Sequence, residues 1–190
     1  DSKLLCRELA VRVPLIISAP WIKAQPRRSD AIVELVDVLP TIAQLAGLAL
    51  PAGEVFDGAS LVPLLQGEAW HKTAAFSQYP RRVRPTGPEW KDNSIIHKDR
   101  STFTHMGCSV RVADWRLTEW ALWNQTALRP LWTFANGSSG VVARELYDHS
   151  ATRDFPTDFN QGENANVADE PKFAQLLAQL SARLRSHFPG

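Results

Sequence analysis

The feature that most constrains the fold is the run VPLIIS, residues 13–18, a continuous apolar stretch with a proline near each end. Such a run is typical of a strand buried on both faces, as in a parallel sheet. The polar loop WIKAQPRRSD follows it, and a second apolar stretch covers residues 32–36. The beginning of the chain therefore predicts an α/β arrangement.

Two short helices are predicted from the signals at their ends. Asp37 stands where an N-cap would precede VLPTIAQLAG, and Pro40 falls in the first turn, where proline is tolerated. Gly47 occupies the position of a C-terminal glycine cap. Ser60 is predicted to cap the shorter helix LVPLLQG, which Gly67 ends.

Short strands are predicted after residue 72, where the pattern changes. They cover residues 73–79, 108–112, 116–123 and 144–147, and a tight turn at residues 113–115 joins the second and third into a hairpin. Between the first two strands, residues 80–105 are predicted to form a long loop rich in proline and charge.

A final helix is predicted to begin after residues 169–171. Its apolar residues recur at helical spacing and form one stripe: Phe173, Leu176, Leu177, Leu180 and Leu184. The interpretation is an α/β part at residues 1–72, the end of a mixed sheet, followed at residues 73–190 by a small antiparallel sheet with a C-terminal helix.

Composition excludes several classes of protein. The 190 residues are 44% hydrophobic with a net charge of +1, so a core is expected and any anion binding must be local. No basic helical stripe indicates nucleic-acid binding, and no run is long enough to span a membrane. The chain begins without methionine or a signal peptide, which suggests a fragment or a processed chain.

The cysteines and histidines form no recognisable site. Cys6 and Cys108 lack CxxC spacing, which argues against a zinc site or a thioredoxin-type motif. The sequence does not decide whether the two cysteines form a disulfide with each other. The histidines do not stand at metal-ligand spacing from each other or from acids: His71, His97, His105, His149 and His187. The seven tryptophans fit core packing or, for one or two, a carbohydrate-facing platform.

Basic residues gather in two places. Residues 72–100 hold seven Lys and Arg against three acids, and Arg81 lies directly after a predicted strand. A solvated face or a structural ion pair explains such a run as well as an anion-binding role does. A second group, which includes Lys3 and Arg7, precedes the first strand. Asn124 and Asn136 begin N-glycosylation triplets, which matter only in a secreted eukaryotic protein.

The order of motifs resembles the C-terminal half of type I sulfatases, and most of all the iduronate-2-sulfatase branch. These motifs are RELAVRVPLII, VELVDVLPTIAQLAGL, FDGASLVPLLQG, AFSQYPRR, MGCSVRVADWRLTEW and RELYDHSATRDFPTD. The resemblance implies an alkaline-phosphatase-like fold and hydrolysis of sulfate esters. It also implies a formylglycine nucleophile from a C/S-x-P-x-R motif, and a calcium ion that polarises the sulfate.

The resemblance assigns roles to a few residues here. Lys3 stands eleven residues before Pro14, as does the sulfate-contacting lysine of the family. The family usually has aromatic or Asn-Phe-Glu residues in the stretch of Leu5 to Glu8, although Glu8 and Arg12 fit common family letters. Gln78, Tyr79 and Arg81 are expected at the substrate mouth, or Arg81 at a seam between subdomains. Neither cysteine fits the nucleophile motif, and no calcium ligand is expected in this chain.

The implied partners are the N-terminal half of the same sulfatase and a sulfated carbohydrate. The implied location is secreted or lysosomal in a eukaryote, and periplasmic or extracellular in a bacterium. This chain alone is expected to be inactive. Two alternatives stay open: a non-catalytic subunit that retains the scaffold, and a phosphate-ester hydrolase of the same superfamily with an unmodified serine or threonine.

Overall fold

The computed structural model describes residues 6–22, 28–81, 99–152 and 161–190. Contacts divide the chain into two compact units, one formed by residues 13–75 and the other by residues 1–12 together with 76–190. The described helices are α1 (Glu8–Val11), α2 (Val38–Leu45), α3 (Val62–Gln66) and α4 (Ala174–His187). The strands are β1 (Ala75–Arg81), β2 (His105–Arg111), β3 (Trp115–Asn124), β4 (Arg129–Leu131) and β5 (Val141–Asp148).

The two helices of the 13–75 unit end as the sequence predicts. Gly47 follows α2 with φ of 67°, and Gly67 ends α3 with φ of 93°, a conformation that favours glycine. Helix α3 begins at Val62 with Leu61 in the N-cap position, so the prediction that Ser60 is the cap is wrong by one residue; the Ser60 hydroxyl still accepts the Val62 N–H at 3.2 Å.

The sequence predicted that Asp37 caps α2, but its side chain makes no capping hydrogen bond to that helix. It ends a short 3-10 turn (Leu35–Asp37), and its buried carboxylate accepts the backbone N–H groups of Glu34 and Ala59, each at 2.8 Å. Lys72 Nζ lies 2.6 Å from Asp37 Oδ1 and 2.8 Å from Glu34 Oε2. Burial by itself would lower the pKa of Lys72, but these two carboxylates outweigh it and raise the pKa. Asp37 therefore joins three segments of this unit.

The predicted buried strand at residues 13–18 is not a strand in this structure. No described residue pairs with it, and Val13, Leu15 and Ile16 are 50%, 39% and 91% exposed. A strand needs hydrogen-bonding neighbours, and the described part of this unit supplies none. Further large apolar side chains of the unit are also exposed: Trp21, Leu35, Val36, Leu39, Ile42, Leu48 and Val55.

The second unit is a five-stranded sheet with one covering helix. The strand order is β1-β2-β3-β4, and β5 also pairs with β3. The hairpin β2–β3 is antiparallel, with Arg111 opposite Arg116 and Gly107 opposite Trp120. Both β4 and β5 pair with β3 in antiparallel register. The four predicted strands are confirmed with small shifts of their ends, whereas β4 was not predicted.

Helix α4 packs on one face of this sheet. Its predicted apolar stripe is confirmed, since Leu180 and Leu184 are 5% and 0% exposed. On the sheet, Val110 and Leu117 are opposite each other, Leu146 is opposite Leu117, and all three are fully buried. Because side chains alternate along a strand, the residues between these positions point to the opposite face, which is polar.

Candidate functional site

The candidate site is the face of the sheet turned away from α4, called here the polar sheet face. It consists of Ser109, Arg111, Arg116, Thr118, Trp120, Glu145 and Tyr147, which are opposite one another in the register of β2, β3 and β5. A buried sheet face usually carries apolar side chains, so these seven polar or amphipathic side chains need hydrogen-bonding or charged partners. The segment around α1 and the 3-10 turn Gln161–Glu163 supply them.

At one end of this face lies a buried charge cluster, the Glu8 cluster: Glu8, Arg111, Arg116, His149 and Glu163. Arg116 donates to Glu8 Oε2, and its Nε lies 2.8 Å from Glu163 Oε1. Arg111 Nε lies 3.3 Å from Glu8 Oε2, and the Glu8 backbone N–H donates to Glu163 Oε2 at 2.8 Å. His149 Nε2 is 3.3 Å from Glu163 Oε1.

The charges of the Glu8 cluster are almost completely removed from water, since Glu8, Arg116 and Glu163 are 5%, 2% and 6% exposed. Burial by itself would raise the pKa of Glu8, but the nearby guanidinium groups of Arg116 and Arg111 outweigh burial and lower the pKa. Glu8 is therefore ionised at neutral pH and attaches α1 to the hairpin β2–β3.

The Glu8 cluster also tests for a metal site. One ligand atom each of Glu8, His149 and Glu163 lies within 4.8 Å of the others. Arg116 already contacts both carboxylates, so a guanidinium supplies the positive charge that an ion would bring. Calcium prefers oxygen ligands, and only two carboxylates are present here. These residues therefore do not fit the calcium ion that the sequence resemblance implies. The expectation that the calcium ligands lie outside this chain stays a prediction.

At the other end of the polar sheet face lies the Trp120 cluster: Arg7, Arg81, Trp120, Glu145 and Tyr147. Trp120 Nε1 donates to Glu145 Oε1 at 2.8 Å, and the Tyr147 hydroxyl donates to Glu145 Oε2 at 2.7 Å. Arg7 Nη2 donates to the Tyr147 hydroxyl at 3.0 Å and lies 3.5 Å from Glu145 Oε2. Burial, followed by the neighbouring Glu145 carboxylate, raises the pKa of Tyr147, so the hydroxyl stays a donor.

Arg81 completes the Trp120 cluster from the end of β1. Its guanidinium carbon lies 4.5 Å from the centroid of the Trp120 ring, a cation–π contact. The indole is 7% exposed and packs against β2 at Gly107, where a Cβ atom would lie 2.8 Å from the ring. Glycine at this position therefore makes room for the tryptophan on which Arg81 rests.

The predicted site residues are only partly brought together. Lys3 lies outside the described residues, as do the arginines that follow Arg81 in the basic loop. Alternation along β1 places Tyr79 and Arg81 on the polar sheet face, and Gln78 on the other face. Tyr79 is half-buried, and burial raises the pKa of its hydroxyl. The structure therefore separates Gln78 from the other two.

The remaining candidates are placed as follows. Cys6 and Cys108 are buried free thiols; Cys6 Sγ lies 3.6 Å from the Gly107 carbonyl, whereas Cys108 alternates onto the face covered by α4. Asn124 ends β3, and its Oδ1 accepts the backbone N–H groups of Thr126 and Ala127 in the following turn; Asn136 lies in an exposed turn. Sequence reasoning missed Glu8, His149 and Glu163 as a group because they are distant in the chain.

None of the helices in the described part of the chain has the length and apolarity needed to cross a membrane.

Comparison with known proteins identifies the family, although no family model matches. The chain is 29% identical over 174 residues to a Δ4,5-hexuronate-2-O-sulfatase of Bacteroides thetaiotaomicron, covering 90% of this chain and 27% of that protein. It is 33% identical over 185 residues to arylsulfatase K of Canis lupus familiaris, covering 97% of this chain and 27% of the relative. The solved structure of a 2-O GAG sulfatase superposes with a TM-score of 0.54 at 26% identity, covering 88% of this chain and 27% of that one.

Human iduronate 2-sulfatase is 31% identical over 151 residues, which cover 68% of this chain. That coverage is smaller than for the two relatives above, so the predicted closeness to the iduronate-2-sulfatase branch in particular is not supported. The chain spans about a quarter of the length of the relatives it matches. It is therefore part of a protein of the type I sulfatase family, in the alkaline phosphatase-like superfamily.

Proposed function

We propose that this chain is the C-terminal portion of a sulfatase that hydrolyses sulfate esters of acidic saccharides. The observation that carries the proposal is the match of 90% and 97% of the chain to two sulfatases, one of them named for a hexuronate 2-O-sulfate. The 2-O GAG sulfatase supports the same substrate class through its fold. An iduronate-type sugar is one member of that class. The formylglycine nucleophile and the calcium ligands belong to the rest of the polypeptide.

The rest of the polypeptide is also the partner that this chain requires. Apolar side chains along residues 13–55 are exposed, among them Ile16 at 91%, Leu35 at 68% and Leu48 at 66%. So many exposed large apolar side chains are unusual in a self-sufficient domain and mark a contact surface. This chain corresponds to about a quarter of the length of its relatives. We therefore expect the remaining part of the same protein to pack on these exposed apolar side chains.

Within this proposal, the residues of this chain bind and orient the substrate. Lys3 contacts the sulfate group, and its charge stabilises the negative charge that builds up during ester cleavage. Tyr79 and Arg81 lie on the polar sheet face and form one wall of the substrate mouth. Gln78 contributes to that mouth from the other side of β1. The Glu8 cluster holds the segment that follows Lys3 in the sequence against the sheet.

The test uses the full-length polypeptide that contains this chain, supplied with calcium. We expect it to release sulfate from a 2-O-sulfated uronic acid disaccharide, and mass spectrometry of the nucleophile peptide to find formylglycine. The chain of residues 1–190 assayed alone is the control and should release none. Lys3→Ala in the full-length polypeptide should lower turnover by about 10² or more.

Three results would contradict parts of this proposal. Turnover by the 190-residue chain alone would refute the assignment of the nucleophile to another region. A full-length polypeptide without the C/S-x-P-x-R motif and without turnover would support a non-catalytic subunit. Faster cleavage of phosphate esters by an unmodified serine or threonine would support a phosphate-ester hydrolase.

Location and modification follow from the same proposal. A protein acting on extracellular or lysosomal saccharides would be exported, to the periplasm or exterior in a bacterium. In a eukaryote, Asn136 in its exposed turn and Asn124 at the end of β3 would then meet the glycosylation machinery. A mass shift of these two peptides on treatment with a peptide N-glycosidase tests this, and unmodified peptides from the secreted protein would contradict it.

A further inference from the structure

We propose that Arg81, held on Trp120, binds the carboxylate of the acidic sugar whose sulfate ester is cleaved, and so determines specificity for uronic acid substrates. This inference rests on the proposed function, because it names the second group that the same substrate presents.

The first step in the argument is the state of the Arg81 side chain. It is exposed, and its guanidinium lies over the Trp120 ring at 4.5 Å. In the described part of the chain, Arg81 forms no ion pair. An arginine that stacks on an indole keeps its N–H donors at the edge of the plane, where they can bind a carboxylate through two parallel hydrogen bonds.

The second step is that Trp120 is held rigidly. Its indole N–H is bonded to Glu145, and the ring packs against β2 at Gly107 without room for a side chain there. A rigid platform reduces the conformational entropy that a long side chain such as Arg81 loses when it binds a ligand. The cluster is therefore organised before any ligand arrives.

The third step is the charge balance of the Trp120 cluster. It contains two guanidinium groups, Arg7 and Arg81, and one carboxylate, Glu145, which leaves one positive charge in excess. Glu145 is already occupied by donors from Trp120, Tyr147 and Arg7. Arg7 Nε, moreover, is buried and has no acceptor among the described residues. Excess positive charge with unused donors favours an anion.

The fourth step is the position of this cluster in the chain. Cys6 Sγ lies 3.6 Å from the carbonyl of Gly107, the residue opposite Trp120. Lys3, the proposed sulfate contact, precedes Cys6 by three residues, and three residues of extended chain reach about 11 Å at most. This short connection allows Lys3 and Arg81 to bind the sulfate and the carboxylate of one sugar together.

The experiment compares two substrates on the full-length polypeptide: a 2-O-sulfated uronide and its carboxylate methyl ester, which differ only in that charge. Arg81→Gln should raise KM for the uronide about 10- to 100-fold, with kcat within about threefold, and leave KM for the methyl ester unchanged. Arg81→Lys should lie between, because lysine keeps the charge but not the planar fork. The matched control is Arg129→Gln, an exposed arginine of β4 outside both clusters, which should change neither KM.

Each other outcome overturns the inference. Equal KM changes on both substrates, or a lower melting temperature with losses in kcat, would make Arg81 a structural residue that pairs with a carboxylate of the same polypeptide. Unchanged KM values would remove it from the site. If the unmodified protein cleaves no sulfate, the proposed function fails separately. Calorimetric titration with the unsulfated uronide then decides the inference, which needs a Kd at least about tenfold weaker in Arg81→Gln.

Discussion

Replacement of Glu8 by glutamine should loosen the second unit at the Glu8 cluster. Arg116 is 2% exposed and Arg111 has a side chain 17% exposed, so neither can turn to water when the carboxylate is lost. Removing one partner from a buried ion pair costs about 3–5 kcal/mol. Because Glu163 remains 2.8 Å from Arg116, we expect the lower end, about 3 kcal/mol. That corresponds to about a 10²-fold change in the equilibrium between closed and open states.

Hydrogen exchange of the full-length polypeptide, followed by mass spectrometry, measures this change locally. Amides of β2 and β3 should lose about 10²-fold of their protection in Glu8→Gln. The matched control is Glu170→Gln, which removes an ion pair with Lys172. The two charged atoms are 2.8 Å apart, but the side chains of Glu170 and Lys172 are 45% and 67% exposed. The loss of this pair should therefore lower the free energy of unfolding by less than about 1 kcal/mol. Protection within about threefold of the unmodified protein, or an equal loss in the control, would refute the reasoning.

Three further predictions concern acid stability, packing and the thiols. Burial by itself would raise the pKa of Glu119, but its arginine partners outweigh it and place the pKa below 4.5, so Glu119 stabilises the fold above that pH and less as the pH falls through it. The melting temperature of Glu119→Gln should therefore be lower than that of the unmodified protein at pH 7, and the difference should shrink as the pH falls below 4.5; a constant difference would contradict this. Gly107→Ala should destabilise by about 1–3 kcal/mol, because the new Cβ would lie 2.8 Å from the Trp120 ring; urea denaturation measures it, and unchanged stability would show that the indole packs elsewhere. Burial raises the pKa of Cys6 to about 11 and of Cys108 to about 12, so iodoacetamide at pH 8 should label neither until urea is added, and rapid labelling of the folded protein would refute their burial.

Local periodicity was sufficient for most of the elements in the second unit. The hairpin β2–β3, strand β5 and the apolar stripe of α4 were all predicted, because alternation at two residues and recurrence at three to four residues are visible in a short window. Strand β4 was missed because three residues, one of them Pro130, carry no periodic signal.

The 13–75 unit shows where local pattern was insufficient. The run at residues 13–18 has the composition of a buried strand, but burial and pairing depend on neighbouring segments, and none of the described residues provides them. Asp37 likewise has the sequence context of an N-cap, while its carboxylate is used by Ala59 and Lys72, 22 and 35 residues away.

The sequence by itself determined the family and the secondary structure of the sheet and its helix, because motif order and periodicity are written along the chain. Only the tertiary structure decided which charges meet. Glu8 contacts Arg116 across 108 residues and Glu163 across 155. Arg81 contacts Trp120 from another strand of the sheet, a contact that no short window of sequence contains. Each charged side chain has many partners of opposite sign in the sequence, and the packing of the whole sheet decides which of them lie close together in a site without water.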